Sequence, residues 1–403
     1  MRVCMVAYSF YESDSRIIQY AQALVRRGDA VDIIALSHDG APRCEVIDGV
    51  CVYRVQRREI NERAALGYLF RIIRFLLVSM AVVTWKHLRK RYDLVHVHSV
   101  PDFLVFAALP LRLVGVPVIL DIHDILPEFY ASKFESGQGS LIYKGMLLVE
   151  KCSAKLASHV IIANHLWYER LVHRSVPKSK CSAICNYPNL AIFYPRAIEK
   201  RPGRFLIMYP GSLNWHQGLD IAIRAFAKVH NAINGAAFQI YGEGAMRPVL
   251  EELVRDLGLE RAITIENYRP TQEIAGLMAA ADISVVPKRA SSCFGNEAAS
   301  TKVQEFMAVG VPVIVSRTKI DSYYFNDSMV RFCESENVDS LAAAIMELYS
   351  HPEERARLVE RAAEHIRQNN WDVKQGEYLH IVDRLTATKR AGVTRSTVPG
   401  VSN

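Results

Sequence analysis

The chain has 403 residues, 50% of them hydrophobic and 23% charged, with a formal net charge of +7. That length exceeds one ordinary core and divides most simply into two domains of about 200 residues, and the composition excludes fibrous and disordered classes. The basic excess comes without the patches and aromatic partners of a nucleic-acid binder, which leaves phosphates or an anionic membrane surface as partners for the charge.

In chain order, Val3 to Tyr8 is an apolar run that reads as a strand covered on both faces. It is too short for the apolar region of a secretory leader. The polar residues Tyr11 to Arg16 follow. Asp14 is a good helix N-cap, and Asp14 and Arg16 are equally placed to contact an acceptor or a phosphate. Ile17, Tyr20, Ala21 and Leu24 recur at helical spacing up to Gly28, and Val31 to Leu36 is the next strand, which completes a βαβ unit. Residues 66–91 predict a hydrophobic helix carrying Arg71, Arg74, Lys86, Arg89, Lys90 and Arg91, either a core helix with a solvated basic end or a helix on a membrane surface. Its longest apolar run, Phe75 to Trp85, falls short of the ~20 residues of a spanning helix. Leu94 to Val97 is a strand, 103–113 a helix, Pro117 to Leu120 a strand running into Asp121-Ile122-His123-Asp124, 141–157 a helix, and His159 to Ala163 a strand. Alternation sends His96 and His98 the same way, so both are not expected in the core. His98 is kept as an acceptor-side candidate beside the competing structural role.

Residues 186–204 lack periodicity and mark the domain boundary. The second half repeats the pattern, with strands Phe205 to Tyr209, Phe238 to Tyr241, Ile263 to Glu266, Ile283 to Pro287 and Val311 to Ser316. Helices are expected at about 219–230, 245–257, 271–281 and 299–309. The expected organisation is 1–195, 196–369, a long helix 370–387, and a disordered tail 388–403 that is basic and then rich in small residues. The fold class is α/β: two Rossmann-like domains with parallel sheets, facing a central cleft.

The strongest cluster runs from Gly295 through Glu297, Ser300, Thr301, Lys302 and Glu305 to Gly310. Small residues at 298–300 let a ligand approach a helix start, whose free amides and dipole favour anions. Glu305 stands about two turns in, roughly 12 Å along the axis, which suits the two ends of one elongated ligand. Lys302, one turn before Glu305, is in reach of a phosphate, and an ordinary Lys–Glu pair on a helix is the plainer reading. Eight cysteines form no C-x-x-C pair, so they read as reduced, buried thiols. No carboxylate pair suited to a divalent ion closes a strand, so no metal is expected.

Glu297 and Glu305 have the Glu-x7-Glu spacing of retaining GT-B glycosyltransferases. The segment from Ser300 to Ile314 resembles the donor-site helix of glycosyltransferase family 4. Tyr209-Pro210-Gly211-Ser212-Leu213-Asn214-Trp215-His216-Gln217-Gly218 is similar to that family's first loop of the C-domain, Gly242-Glu243-Gly244 to its glycine turn, and Asn267-Tyr268-Arg269 lies where the family contacts the base. Asp121-Ile122-His123-Asp124 looks like its N-domain histidine motif. The resemblance covers about 1–385.

It implies a GT-B fold with the last helix crossing back to the N-domain, and a metal-independent, retaining hexosyl transfer without a cofactor. The donor would be a UDP- or GDP-linked sugar. The acceptor would be a glycan or lipid-linked molecule of surface polysaccharide or glycoconjugate synthesis, with the chain in the cytoplasm or on the inner face of the membrane. Catalytic candidates are His123, Glu297 and Lys302. Donor-side candidates are Gly211, Ser212, Asn214, Gln217, Gly244, Tyr268, Arg269, Ser300, Thr301 and Glu305. Acceptor-side candidates are Asp14, Arg16, His98, Asp124 and Glu128. The family commonly has Arg and Lys where this chain has Ser212 and Gln217, so Lys302, Lys288, Arg289 or His216 would serve the diphosphate. A catalytically silent sugar-nucleotide-binding module and a GT-B-fold epimerase or phosphorylase are the alternatives.

Overall fold

The computed structural model describes residues 1–58, 65–99, 101–133, 140–198 and 202–395. They form two compact units, Met1–Asn186 with the segment from Lys374 onward, and Tyr187–Val373. The division therefore falls earlier than the 195/196 boundary expected from composition.

In unit 1, strands β1 (Arg2–Ala7), β2 (Ala30–Ser37), β3 (Cys44–Ile47), β4 (Val50–Arg57), β5 (Leu94–His98), β6 (Val118–Ile122), β7 (His159–Ile162) and β8 (Cys181–Ala183) build one sheet in the order β3-β4-β2-β1-β5-β6-β7-β8. Every pair is parallel except β3 with β4. The helices are α1 (Ser15–Arg26), α2 (Ala65–Arg89), α3 (Leu109–Leu113), α4 (Leu126–Lys133), α5 (Leu141–Leu156) and α6 (His165–Arg174).

α1 shows how local chemistry sets these elements. Asp14 accepts a hydrogen bond from the Ile17 amide at 3.3 Å. Ile17, Tyr20, Ala21 and Leu24 are buried, and each large apolar side chain taken from water contributes about 1.5–3 kcal/mol. Gly28 then ends the helix at φ 91°. The helix expected over 103–113 is instead a 3₁₀ stretch, Asp102–Ala108, followed by the short α3; Pro110 at the start of α3 has no amide to continue the earlier hydrogen-bond ladder.

α2 corrects the estimate of a short apolar segment. Gly67–Arg89 is long and apolar enough to cross a membrane by length and composition, with mean hydropathy 1.7. One face nevertheless covers the sheet. Phe75 packs edge-on to Tyr8 at 5.1 Å, and Lys86 pairs with Asp32 at 3.4 Å and lies over the Tyr53 ring.

Unit 2 contains β9 (Phe205–Pro210), α7 (Leu219–Val229), β10 (Ala236–Tyr241), α8 (Arg247–Asp256), β11 (Ile263–Glu266), α9 (Thr271–Ala279), β12 (Ile283–Val286), α10 (Cys293–Glu297), α11 (Thr301–Val309), β13 (Val313–Ser316), α12 (Lys319–Tyr324), β14 (Arg331–Cys333), α13 (Val338–Ser350) and α14 (Pro352–Gln368). Its six-stranded parallel sheet has the order β11-β10-β9-β12-β13-β14, one strand more than expected. Ile207, Phe226 and Phe238 fill the core on one sheet face, and Met208, Val286 and Phe306 the core on the other.

The last helix, α15 (Trp371–Arg395), starts in unit 2 and belongs to unit 1 from Lys374. Asn370 caps it, accepting from the Val373 amide at 3.1 Å. The helix continues beyond the expected start of a disordered tail at Thr388, and 396–403 lie outside the described residues.

Candidate active site

In unit 2 the strand order reverses between β9 and β12, the place where open parallel sheets bind ligands beyond their carboxyl ends. The expected donor residues collect there. Gly211 follows β9 with φ 138°. A Cβ on it would lie 2.1 Å from Lys302 Cε, so only glycine lets that side chain rest over the turn. Gly244 is excluded from larger residues by the Leu213 carbonyl, 2.4 Å from its would-be Cβ.

The Tyr209 hydroxyl lies 3.0 Å from both the Ser212 carbonyl and Gln217 Oε1, which ties Gln217 into the loop through its amide oxygen. Asn214 opens the 3₁₀ turn Trp215–Gln217, with no hydrogen bond from its side chain to that turn.

The helix arithmetic for the two glutamates is corrected. α10 ends at Glu297, residues 298–300 form a turn, and α11 restarts at Thr301. Glu305 is thus about one turn into its helix, and the two carboxylates do not share one axis. Ser300 sits at the N-cap position without capping the helix, and its buried hydroxyl has no hydrogen-bond partner among the described residues. The first amides of α11 and this hydroxyl are left for an anion.

Lys302 has no ion pair among the described residues, and its ammonium stands 5.4 Å from the Tyr209 ring centroid. Burial draws it down to about 8, Glu305 opposes that, and Lys288 adds to it. Glu305 is shifted upward by burial, against the pull of Lys302 and of a hydrogen bond from Thr301. Glu297 is 7% exposed and lies 3.5 Å from Lys319 Nζ.

Two of the other cations proposed for the diphosphate, Lys288 and Arg289, are occupied. Lys288 pairs with Asp321 at 2.7 Å and donates to the Ala298 carbonyl at 2.9 Å, so it braces the turn that leads into α11. Arg289 bonds Asp220 and Glu336 and lies over Trp215. His216 is pushed down by burial, with Lys302 and Lys288 adding to the shift. Tyr268 is 60% exposed after β11, whereas Arg269 is engaged by Glu266 and Glu273.

In unit 1 a cavity of about 210 Å³ opens at the carboxyl ends of β1, β5 and β6, and Asp14, Tyr68, His98, His123 and Asp124 are among its lining residues. Beneath it, Asp121 is fully buried and ties the site together. Arg16 Nε and Nη2 approach its two oxygens at 2.8 and 2.6 Å, and its Oδ2 stands 3.1 Å from His98 Nδ1 and 3.0 Å from His123 Nε2.

Burial works against a charged His123, but Asp121 and then Asp14 outweigh it, and the group titrates above the usual histidine range. Asp121 is held far below the usual carboxylate range: Arg16, His123 and their hydrogen bonds overcome burial. Burial lowers His98 despite its bond to Asp121. It raises Asp124, which His123 only partly offsets.

Three expectations change here. Arg16 is a buried partner of Asp121 and also donates to the Ile184 carbonyl and Asn186, so it is not available to an acceptor. Glu128 is enclosed by Arg174, Arg170 and the Tyr143 hydroxyl. His96 and His98 are both in the core, with rings 4.1 Å apart. Asp14 caps α1 and also lines the cavity. Ligand atoms of His96, His98 and Asp121 lie within 4.8 Å of one another, but the Arg16 fork already neutralises that carboxylate, and a cation there would have to displace it.

Asp121 stands in the histidine motif, but sequence reasoning gives it no role of its own. Its signal was a charge in the middle of the apolar strand Val118–Ile122, which requires a buried partner.

Two Rossmann-like units, each gathering polar side chains at the carboxyl ends of its strands, have the architecture of the GT-B class, and the family matches make that class a nucleotide-sugar glycosyltransferase. The family model described as glycosyl transferase 4-like domain matches residues 15–187, and the one described as glycosyl transferases group 1 matches 192–365. The chain belongs to the GT-B glycosyltransferases of the family 4 type.

It is similar to an uncharacterized glycosyltransferase of Methanocaldococcus jannaschii, 27% identical over 73% of this chain and 74% of that protein. It is also similar to the D-inositol 3-phosphate glycosyltransferase of Nocardiopsis dassonvillei, 25% identical over 93% and 89%. Among solved structures, sucrose-phosphate synthase of Thermosynechococcus elongatus superposes with TM-score 0.79 at 19% identity, covering 96% of this chain and all of that one (100%). Anabaena HepE, solved with UDP and glucose, gives 0.71 at 16%, covering 95% and 100%.

Proposed function

We propose that the chain moves a hexosyl residue, with retention at the anomeric carbon and without a metal, from a UDP- or GDP-linked sugar to a glycan or lipid-linked acceptor in surface polysaccharide or glycoconjugate synthesis. It works on the cytoplasmic face of the membrane. The observation that carries this is the seating of Lys302 over the glycine turn after β9, beside the uncapped start of α11. In this reading the bond from the anomeric carbon to the diphosphate breaks, and the bond to the acceptor oxygen forms on the same face. The acceptor proton ends on the departing diphosphate.

Lys302, the amides of α11 and the Ser300 hydroxyl receive the charge that grows on the leaving group. Each well-placed donor of this kind contributes a few kcal/mol to the transition state. Glu305 holds the ribose, Glu297 the transferred sugar, and Tyr268 the base. In this reading His123, fixed by Asp121, serves the transfer as a catalytic group, and Asp14 and Asp124 serve the acceptor. Lys288 positions the turn at Ala298 without touching the donor.

The test is a thermal-shift screen of UDP- and GDP-sugars, followed by NMR of the product made from the stabilising donor. An inverted anomeric centre would reject the retaining mechanism, and no stabilisation by any nucleotide sugar would reject the donor class.

A further inference from the structure

One face of the unit 1 sheet is covered by a single layer of helices. The connections β4 to β5, β5 to β6, β6 to β7 and β7 to β8 all step the same way through the strand order, whereas β1 to β2 steps back. Right-handed crossovers therefore put α2, α3, α5 and α6 on one face and α1 on the other. α2 packs against α3 and the 3₁₀ stretch Asp102–Ala108, and that stretch packs against α5. The three helices lie side by side, and the surfaces they turn away from the sheet face outward together.

That outward surface is apolar. While Ile72, Phe75, Val83 and Lys86 of α2 are buried, Phe70, Leu77 and Leu88 stand out, Leu88 by 80%. Leu113 at the end of α3 is 78% exposed, and Leu141 and Leu148 of α5 are 85% and 62% exposed. Positions 70, 77 and 88, and likewise 141 and 148, return to the same side of their helices, so these are stripes and not scattered single residues.

On α2, α3 and α5 the charge is equally one-sided, whereas the neighbouring α6 carries the exposed Glu169. α2, α3 and α5 contain one acidic residue, Glu150, which is buried under Arg174. Arg74 and Arg89 of α2, and Lys144, Lys151 and Lys155 of α5, are exposed. Arg89 lies over the Trp85 ring at 3.8 Å.

We infer that this three-helix layer is a docking face for an anionic lipid bilayer. The leucines and Phe70 enter the headgroup region, and the surrounding cations meet lipid phosphates. A second copy of this chain would bring the same cations against themselves, which disfavours self-association through this face. α2 lies along the bilayer instead of crossing it, because Lys86 is locked to Asp32 and Tyr53 on the sheet side. The face reaches the cavity that holds His98 and His123, since Tyr68 at the start of α2 lines it. The proposal rests on the acceptor-side reading of that cavity only for its biological sense.

The experiment is flotation of the full chain with phosphatidylcholine vesicles, with and without phosphatidylglycerol, at low and high salt. Three pairs of substitutions accompany it: Leu77→Glu with Leu88→Glu, Leu141→Glu with Leu148→Glu, and Lys144→Glu with Lys151→Glu. Melting temperature and calorimetric UDP and GDP binding serve as fold controls. The expected result is salt-sensitive binding to the anionic vesicles only, weakened about tenfold or more by each pair with the controls unchanged.

No flotation at low salt overturns the proposal. So does full binding by either α5 pair, or a lipid-free dimer that the same pairs dissolve. A chain that floats but transfers only to water-soluble acceptors keeps the docking face and removes the lipid-linked acceptor. A chain that does not float but transfers to a lipid-linked acceptor in detergent does the reverse.

Discussion

Deprotonating Lys302 should be visible as a loss of donor affinity. In the free protein its ammonium titrates at about 8, because burial disfavours the charge more than Glu305 supports it. A diphosphate placed beside it adds negative charge and draws the pKa upward, so binding selects the protonated lysine. Below the free value the group is already charged and affinity is flat. Between the free and bound values, affinity falls about tenfold for each pH unit, or about 1.4 kcal/mol. Near pH 9, therefore, UDP or GDP should bind about tenfold more weakly than near pH 7. The second ionisation of a terminal phosphate is complete by then, since its pKa is about 6. Calorimetry in two buffers of different ionisation enthalpy measures both the affinity and the proton taken up. Lys302→Met should bind weakly at both pH values without the step, and should lower kcat by on the order of 10²-fold, because the cation serves the departing charge. Equal affinity of the unaltered protein at both pH values would refute the reasoning. So would a step that survives in Lys302→Met.

Glu305→Ala should weaken nucleoside diphosphate binding by about 1.5–3 kcal/mol, the worth of a charged hydrogen bond; calorimetry showing unchanged affinity removes it from the ribose. Transfer should proceed undiminished in EDTA, and loss of activity restored by magnesium or manganese would contradict the metal-free reading. Truncation after Gln368 removes α15, in which Tyr378 is fully buried, reaches His96 Nδ1 at 3.0 Å and packs on Tyr20. Losing one such aromatic costs about 3–5 kcal/mol, so the truncated chain should be insoluble or inactive, and full activity from it would count against the role given to this helix.

The long apolar strands and the donor helix were legible because each announces itself within a short window. Val3 to Ala7 is an unbroken apolar run, and Thr301 to Val309 joins helical spacing to a chemical pattern and a terminal glycine. β8 and β14, three residues each, are too short for any period to register. β4 alternates buried and half-buried residues as a one-sided strand does, but its sequence mixes arginine and glutamine into that alternation.

The acceptor-side errors have one cause. Arg16 and Asp121, and likewise Arg174 and Glu128, neutralise each other across long stretches of sequence, and a charge read alone looks like a surface or ligand-binding group. Asp121 was the exception that local reading had the means to find. The placement of Glu305 two turns into its helix failed for another reason: a helix break at 298–300 carries no proline and resembles any run of small residues.

The sheets close in a way that limits how copies of the chain can meet. Unit 1 ends on β3, four residues including Glu45, and on the three-residue β8. Unit 2 ends on β11, four residues, and the three-residue β14. A long flat edge offers its unpaired amides and carbonyls to any passing strand and seeds fibres, and short edges of this kind blunt that templating. Concentrated native protein should therefore resist growth by strand addition, leaving helix surfaces as the places where this chain adheres to other matter.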